Sequence, residues 1–266
     1  MNNVLITGSN GFIGSNILEG ALLNDKVILI LRRKDNKKKF NNKKIKTLYF
    51  DNYNQLDKKL KKIKADIVIH CATHYIKDHK TEDISRFAES NILFGNIILD
   101  NLKNMKTKKF INFSTVWEDY NAVKNNNINL YSVYKKAYAL LINYYKKIIP
   151  GVFFYEIMLS ETFGINDKRQ KLINVLKNNY KANKSTKINS SNLSINLLNV
   201  KDIINAIELI IKKSVKPKKY VLKNDITYKI SNLINLFNRK NTKKIKVRWL
   251  SRKIIKEKIF KYQTLK

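Results

Sequence analysis

The stretch NVLITGSNGFIGSNILEG, residues 3–20, constrains the fold of this chain more than any other. The chain holds only 7 glycines, yet Gly8, Gly11 and Gly14 fall together in one short turn between an apolar run and a helical one. Their G-x-x-G-x-x-G spacing is a variant of the dinucleotide fingerprint. One glycine lets the chain turn sharply out of the strand, one lets backbone approach a pyrophosphate, and one lets helix pack on strand. The free N–H groups that open the following helix then point at the phosphates. The turn therefore predicts a strand, a phosphate-binding loop and a helix in that order.

The rest of the first half repeats this alternation. KVILIL, IKTLYF, ADIVIH, KFINFS and VFFYEIML read as buried strands. Between them FIGSNILEGALL, NQLDKKLKKI, DISRFAESNILFGNIILDNLK and a segment starting near Leu130 read as helices. Nearly continuous apolar strands separated by helices predict a parallel sheet covered on both faces. The fold class is α/β, a Rossmann-like doubly wound parallel sheet with a small C-terminal substrate-binding lobe. After Gly164 the pattern loosens through QKLINVLKNNY, NLSINLL and KDIINAIELIIKK. Residues 1–164, with 193–213 returning to them, are expected to form the nucleotide-binding domain. Residues 165–192 and 214–266 are expected to form the lobe, over the carboxyl ends of the strands where ligands bind in such folds.

Composition narrows the function classes. At 266 residues and 44% hydrophobic content a sizeable core is available. No apolar run reaches the roughly 20 residues of a spanning helix, and the N-terminus does not read as a signal peptide. A cytoplasmic location is expected, consistent with the one cysteine, Cys71. The net charge of +34 would suit nucleic acid, but of 54 basic residues seven are arginine and the rest lysine. They are spread along the chain without an Arg-rich or aromatic-basic motif, so no nucleic-acid partner and no membrane insertion are expected. A positive surface still favours an anionic substrate such as a nucleotide diphosphate. The second strand runs into Leu31, Arg32 and Arg33, with no acid until Asp35. An acid there holds the ribose hydroxyls of NAD, whereas arginine accommodates the 2′-phosphate of NADP. NADP is therefore expected, with NAD less so. The cluster His70, Cys71, His74 and His79 leaves a buried strand beside the cofactor cleft, and no metal is expected there.

NLYSVYKKAY, residues 129–138, places three tyrosines and two lysines in ten positions. Tyr131 and Lys135 are four apart and share a helix face, bringing a phenol close to an ammonium. Such a cation stabilises a phenolate, which turns a poor neutral-pH catalyst into a usable one. Tyr134 and Tyr138 form a packing stripe instead. Upstream, the fifth strand ends in Ser114 and Thr115.

A glycine triplet, a Ser/Thr after the fifth strand and Y-x-x-x-K together resemble the extended short-chain dehydrogenase/reductase family, also called the NAD-dependent epimerase/dehydratase family. HCAT after the fourth strand and LLNVKDIINAI add to the likeness, which runs from about residue 2 to about 213. The resemblance implies that Tyr131 is the acid/base, that Lys135 lowers its pKa and holds the nicotinamide ribose, and that Thr115 orients the substrate carbonyl. It implies cofactor contacts at Gly8, Asn10, Gly11, Phe12, Ile13, Gly14, Arg32, Arg33, Cys71, Ala72, Thr73 and Asn91. Asp51 stands where the family often holds the adenine, and equally suits an exposed turn.

STVWEDY followed by NLYSVYKKA and ETFGINDKRQKLINVLK is most similar to the NADPH-dependent 4-ketoreductases of nucleotide-linked deoxysugars, of the CDP-abequose and CDP-paratose synthase type. Such enzymes serve surface-polysaccharide sugar biosynthesis. The likeness implies that Trp117 and Thr162 border the sugar and that Arg169 and Lys171 face the diphosphate. A 4,6-dehydratase would carry an Asp-Glu pair after the strand-end threonine, where this chain has Val116 and Trp117. A 4-epimerase with bound NAD uses the same Tyr–Lys pair and stays open, although the arginine pair favours an exchangeable cofactor. A non-enzymatic NADP-sensing protein is the third reading, and such proteins often lose the tyrosine or lysine kept here. A homodimer is expected through the helix of Tyr131 and the one before it, with YALLINYY as its apolar surface.

Overall fold

The computed structural model describes residues 1–33, 42–256, 258–259 and 263–265; Asp35 lies outside them. The chain opens with β1 (Asn3–Thr7), α1 (Phe12–Gly20), β2 (Lys26–Arg32), β3 (Ile45–Phe50), α2 (Tyr53–Leu60) and β4 (Ile67–His70). It continues with α3 (Ile84–Ala88), a π-helical turn (Glu89–Leu93), α4 (Phe94–Asp100), β5 (Lys109–Thr115) and a short 3₁₀ segment (Val116–Ala122). Then come α5 (Leu130–Ile148), β6 (Phe153–Leu159), β7 (Glu161–Phe163), α6 (Leu172–Lys181), β8 (Thr186–Ile188), β9 (Leu193–Ile195) and β10 (Leu197–Asn199). The last elements are α7 (Val200–Lys212), β11 (Lys219–Leu222), β12 (Tyr228–Lys229), α8 (Ile230–Lys240), β13 (Val247–Trp249) and β14 (Ile255–Lys256).

Seven strands form one parallel sheet in the order β11-β6-β5-β4-β1-β2-β3. The order reverses beside β1, and that reversal opens a crevice at the carboxyl ends. Alternate residues along each strand feed opposite faces. Val4, Ile6, Ile67 and Ile69 meet α1 and α7 through Ile17, Ile203 and Ile207. Leu5, Val68, Phe110 and Phe154 meet α2, α4 and α5 through Leu56, Ile98 and Ile142. Beyond the sheet, α6 and α8 pack with β8, β9 and β13 around Leu176, Ile188, Ile230 and Ile234, a separate small core. This is the doubly wound α/β architecture, with a smaller unit after Gly164.

Two elements differ from expectation. Lys219–Leu222, within the stretch assigned to the lobe, pairs with β6 and becomes the outer strand of the main sheet. Four residues after a proline carry too little periodicity to read as a strand, and only the open edge of β6 calls for one. The long helix expected over residues 83–103 is interrupted by the π-helical turn. There Asn91, buried, turns to the loop after β4: it accepts from His74 N at 2.6 Å and Thr73 Oγ1 at 3.2 Å, and donates to His74 O at 3.0 Å. Single π turns commonly mark such a detour.

The face of the sheet that meets α5 carries a row of polar side chains in lateral register. Thr7, His70, Asn112, Glu156 and Lys219 stand side by side on β1, β4, β5, β6 and β11. Thr7 Oγ1 and His70 Nδ1 are 2.9 Å apart, and Glu156 is bound by Lys146 at 2.6 Å. Strands buried on both faces are normally apolar here, so each of these groups must find a partner or bear a desolvation cost.

Candidate functional site

A cleft of about 1090 Å³ lies at the carboxyl ends of the strands. Its floor begins at the glycine turn. Gly8 has φ of 70°, and a Cβ there would stand 2.6 Å from Ala72 N; one at Gly14 would stand 2.3 Å from Gly8 O. Gly11 is different, because its added carbon would meet only Gly8 O, at 3.2 Å. Gly11 caps α1 without any side chain, so the first N–H groups of the helix stay uncovered by a cap. The hydroxyl of Ser9, wholly buried beside them, has no hydrogen-bond partner. An uncapped helix start and a buried donor in want of an acceptor fit a pyrophosphate.

Asn10, Phe12, Ile13, Cys71, Ala72, Thr73 and Arg32 also line the cleft. Ala72 N donates to Thr7 Oγ1 at 3.2 Å, which ties the loop after β4 to β1. His70 is held neutral, brought down to about 3 by burial first and by the Lys135 charge second. Burial pushes the Cys71 thiol up, and His74 and His79 pack against Phe87. Among the described residues no three ligating side chains converge on one point.

Three residues expected at the cofactor do not line this cleft. Arg33 turns away to Asp51, with Nε 3.1 Å from its carboxylate, and the two neutralise each other at the surface. Asn91 lies behind the wall and holds Thr73 and His74, as above. The end of β2 separates the arginines: Arg32 is its last residue and lines the crevice, whereas Arg33 lies beyond the strand and turns to Asp51.

Thr115 ends β5, and Trp117 N donates to its hydroxyl at 3.3 Å. Tyr131 lies in the first turn of α5, which Asn129 starts firmly: Ser132 N donates to Asn129 Oδ1 at 2.9 Å and Asn129 N to Ser132 Oγ at 3.3 Å. Lys135, one turn on, is buried and donates to the carbonyl of Phe113 at 2.9 Å. Its ammonium is 5.9 Å from the centre of the Tyr131 ring. Burial pulls Lys135 down to about 8, with the Glu118 carboxylate pushing back. The Tyr131 phenol is pushed up, first by burial, then by Glu118 and Tyr75, against the hydroxyl of Thr73 and the charge of Arg169. The lowered phenol expected from the i,i+4 spacing is not the state of this cleft. Spacing counts the neighbouring charge but not the desolvation of the phenol itself.

The other tyrosines pack, as expected. Tyr134 stacks on Phe87 with centroids 5.4 Å apart and planes at 12°. Tyr138 is buried, and its hydroxyl donates to Gly95 O at 3.0 Å.

Trp117, Thr162, Arg169 and Lys171 line the outer part of the cleft. Arg169 makes two bonds to Asp167, at 2.7 and 2.8 Å, and two to Thr162, both at 3.0 Å. Its guanidinium lies 4.1 Å from the Phe12 ring, joining the segment after Gly164 to the glycine turn. The Lys171 ammonium sits 4.4 Å from the Trp117 ring and 4.8 Å from the Tyr75 ring, with Glu161 at 3.2 Å. Tyr75 meets Tyr131 edge to face at 5.0 Å. Neither Tyr75 nor Glu118 was legible beforehand. A tyrosine in a loop and a carboxylate after a strand are ordinary surface residues until the fold encloses them.

Comparison with known proteins agrees with this geometry. Residues 4–222 match the model of the NAD dependent epimerase/dehydratase family. The chain is 27% identical over 212 residues to a CDP-abequose synthase of Yersinia pseudotuberculosis, covering 78% of this chain and 72% of that one. It is 33% identical over 270 residues to a dTDP-D-glucose 4,6-dehydratase of Dictyostelium discoideum, covering 86% of this chain and 59% of the relative. A UDP-N-acetylglucosamine 4-epimerase from Methanobrevibacter ruminantium has the same fold, with a TM-score of 0.81 at 20% identity over 97% of this chain and 89% of that one.

The three glycines are expected to separate in a substitution series. Gly8→Ala and Gly14→Ala should lose about 1–3 kcal/mol of stability in urea unfolding, from positive φ in one and backbone collision in both. Gly11→Ala, whose added carbon only presses on Gly8 O at 3.2 Å, should lose less stability than either but bind dinucleotide at least tenfold more weakly in fluorescence titration. Equal destabilisation by all three would contradict this assignment.

Proposed function

The chain belongs to the NAD dependent epimerase/dehydratase family, and we propose that within it the protein uses NADPH to reduce the 4-keto group of a nucleotide-linked deoxyhexose. The observation that carries this reading is that Tyr131, Lys135 and Thr115 line the same cleft that starts at the glycine turn. The likeness to CDP-abequose synthases supports the substrate class.

When bound, the nicotinamide supplies the hydride that reduces C4. The N–H groups at the start of α1 and the hydroxyl of Ser9 hold the pyrophosphate, and Arg32 meets the 2′-phosphate. Lys135 leans on the Phe113 carbonyl and holds the ribose. Thr115 orients the substrate carbonyl by hydrogen bond, and Tyr131 gives its proton to the oxygen that becomes the alcohol. The raised phenol pKa means only that Tyr131 holds its proton as the step begins. Trp117 and Thr162 border the sugar. Lys171 faces the diphosphate, and Arg169 braces that wall through Asp167.

Burial of Glu118 and Asp119 weighs against elimination. These carboxylates follow the strand-end threonine, but Glu118 is bound by Lys219 at 3.0 Å and Asp119 by Lys136 at 2.9 Å, and neither lines the cleft. Exposed apolar side chains along α5, Val133, Leu140, Tyr144 and Ile148, support the homodimer, while Tyr138, Ala139, Ile142 and Tyr145 of the same helix are spent on the core.

Four measurements test this reading. With NADPH and a CDP-4-keto-deoxyhexose, Tyr131→Phe should lose roughly 10²–10⁴-fold in turnover while Tyr134→Phe stays near the unaltered rate. NADPH should be consumed one for one with alcohol formed; interconversion of C4 epimers without net NADPH loss would establish the epimerase instead. Arg32→Asp should by itself abolish the preference for NADPH over NADH, whereas Arg33→Ala should leave it. Leu140→Glu should convert a dimer to a monomer in sedimentation, and an unaltered protein already monomeric at micromolar concentration would rule the dimer out.

A further inference from the structure

Tyr75 stands on the loop that leaves β4 and lines the cleft. Its ring meets that of Tyr131 edge to face, with centroids 5.0 Å apart and planes at 88°. It is also met by the Trp117 ring at 6.1 Å and by the Lys171 ammonium at 4.8 Å, which Glu161 holds at 3.2 Å. The residue before it is fixed from the π turn: the Asn91 side chain accepts from His74 N at 2.6 Å and donates to His74 O at 3.0 Å. A buried asparagine at a helix detour, gripping both backbone groups of one loop residue, fixes the path of the chain there. The next side chain along that path to line the cleft is Tyr75.

We propose that Tyr75 is a positioning residue for Tyr131: its ring, set by the Asn91 clamp and by Trp117 and Lys171, fixes the orientation in which the Tyr131 phenol reaches the cleft. The proposal rests on the assignment of Tyr131 as proton donor above. Tyr131 lies in the first turn of α5, where the helix places its backbone but leaves the side-chain torsions to its neighbours. A proton donor must come within hydrogen-bond reach of one oxygen, and a displacement of about 1 Å costs on the order of 100-fold in rate. The Lys135 ammonium, 5.9 Å from the ring centre, stands at the outer limit of a cation–ring contact and gives its hydrogen bond to Phe113 O. The Tyr75 contact is closer, and it is directional. In a perpendicular pair the positive edge of one ring meets the negative face of the other, so rotating either ring weakens the contact. Tyr75 is held in turn, because the Lys171 ammonium lies over its ring and over that of Trp117. The cation that faces the diphosphate and the phenol that gives the proton thereby lean on one side chain.

The test has two arms. In steady-state reduction of a CDP-4-keto-deoxyhexose, Tyr75→Leu should lower kcat roughly 10- to 100-fold while KM for the sugar and Kd for NADPH stay within about threefold. Tyr75→Phe keeps the ring and drops the hydroxyl, and should recover kcat to within about threefold of the unaltered protein. A side chain that only fills the cleft wall gives the opposite split, with KM raised and kcat kept. That split, or a Phe variant as damaged as the Leu variant, overturns the proposal. The second arm uses protein without substrate or nucleotide, carrying ring-labelled tyrosine. The Tyr131 resonance, identified by its loss in Tyr131→Phe, should move toward the free-tyrosine position in Tyr75→Leu and stay near its place in Tyr75→Phe. An unmoved Tyr131 signal in Tyr75→Leu is equally fatal. If the unaltered protein does not reduce the ketosugar, the reductase reading fails, while the spectrum still decides whether Tyr75 sets the Tyr131 ring. Should Tyr75→Leu fail to fold, Tyr75→Met fills the space without a ring and carries the same expectations.

Discussion

The hydrogen bond from Lys135 to the carbonyl of Phe113 sets the position of everything that faces the cleft. It joins the first turns of α5 to the end of β5 at the level where the crevice opens. With that contact made, the helical period decides the rest. Tyr131, one turn earlier, reaches the cleft; Tyr134 meets Phe87; and Tyr138, one turn later, passes down to Gly95. One helix thereby serves the core on one face and the cleft at its start, and exposes Val133, Leu140, Tyr144 and Ile148 along its outer side.

The second dependence runs across the sheet. A parallel sheet covered on both faces favours apolar side chains, yet one register level carries Thr7, His70, Asn112, Glu156 and Lys219. The row is tolerated because most of its members are paired, with partners drawn from the row, from α5 and from the segment after Thr115. Asn112 has none for either amide atom. The row ends in a lysine that pairs with Glu118, so the sheet edge also fastens the segment that leaves Thr115. Cost in stability is accepted where geometry at the site requires it.

The outer cleft is built from contacts between distant parts of the chain. Arg169 lies over Phe12, and Lys171 lies over Tyr75 and Trp117. Each cation is also held by a carboxylate, Asp167 or Glu161. These pairs hold the segment after Gly164 against the glycine turn and against the loop after β4. The two cations line the cleft in defined orientations, which a flexible surface lysine could not maintain.

Local chemistry was enough to read much of this protein from its residues. The glycine turn, the buried strands, the order of strand and helix, and the Tyr131–Lys135 pair all depend on neighbours within a few positions, where backbone periods of two and 3.6 are dependable. Only the tertiary structure decided what depends on distant neighbours. It assigned Lys219–Leu222 to the sheet, because an open strand edge and not local propensity called for it. It sent Arg32 to the cleft and Arg33 to Asp51, enclosed Glu118 and Tyr75, and drew Asn91 into a π turn. It also reversed the expected direction of the Tyr131 shift. A charge four residues away is visible in a sequence, but the loss of water around a phenol is a property of the whole fold.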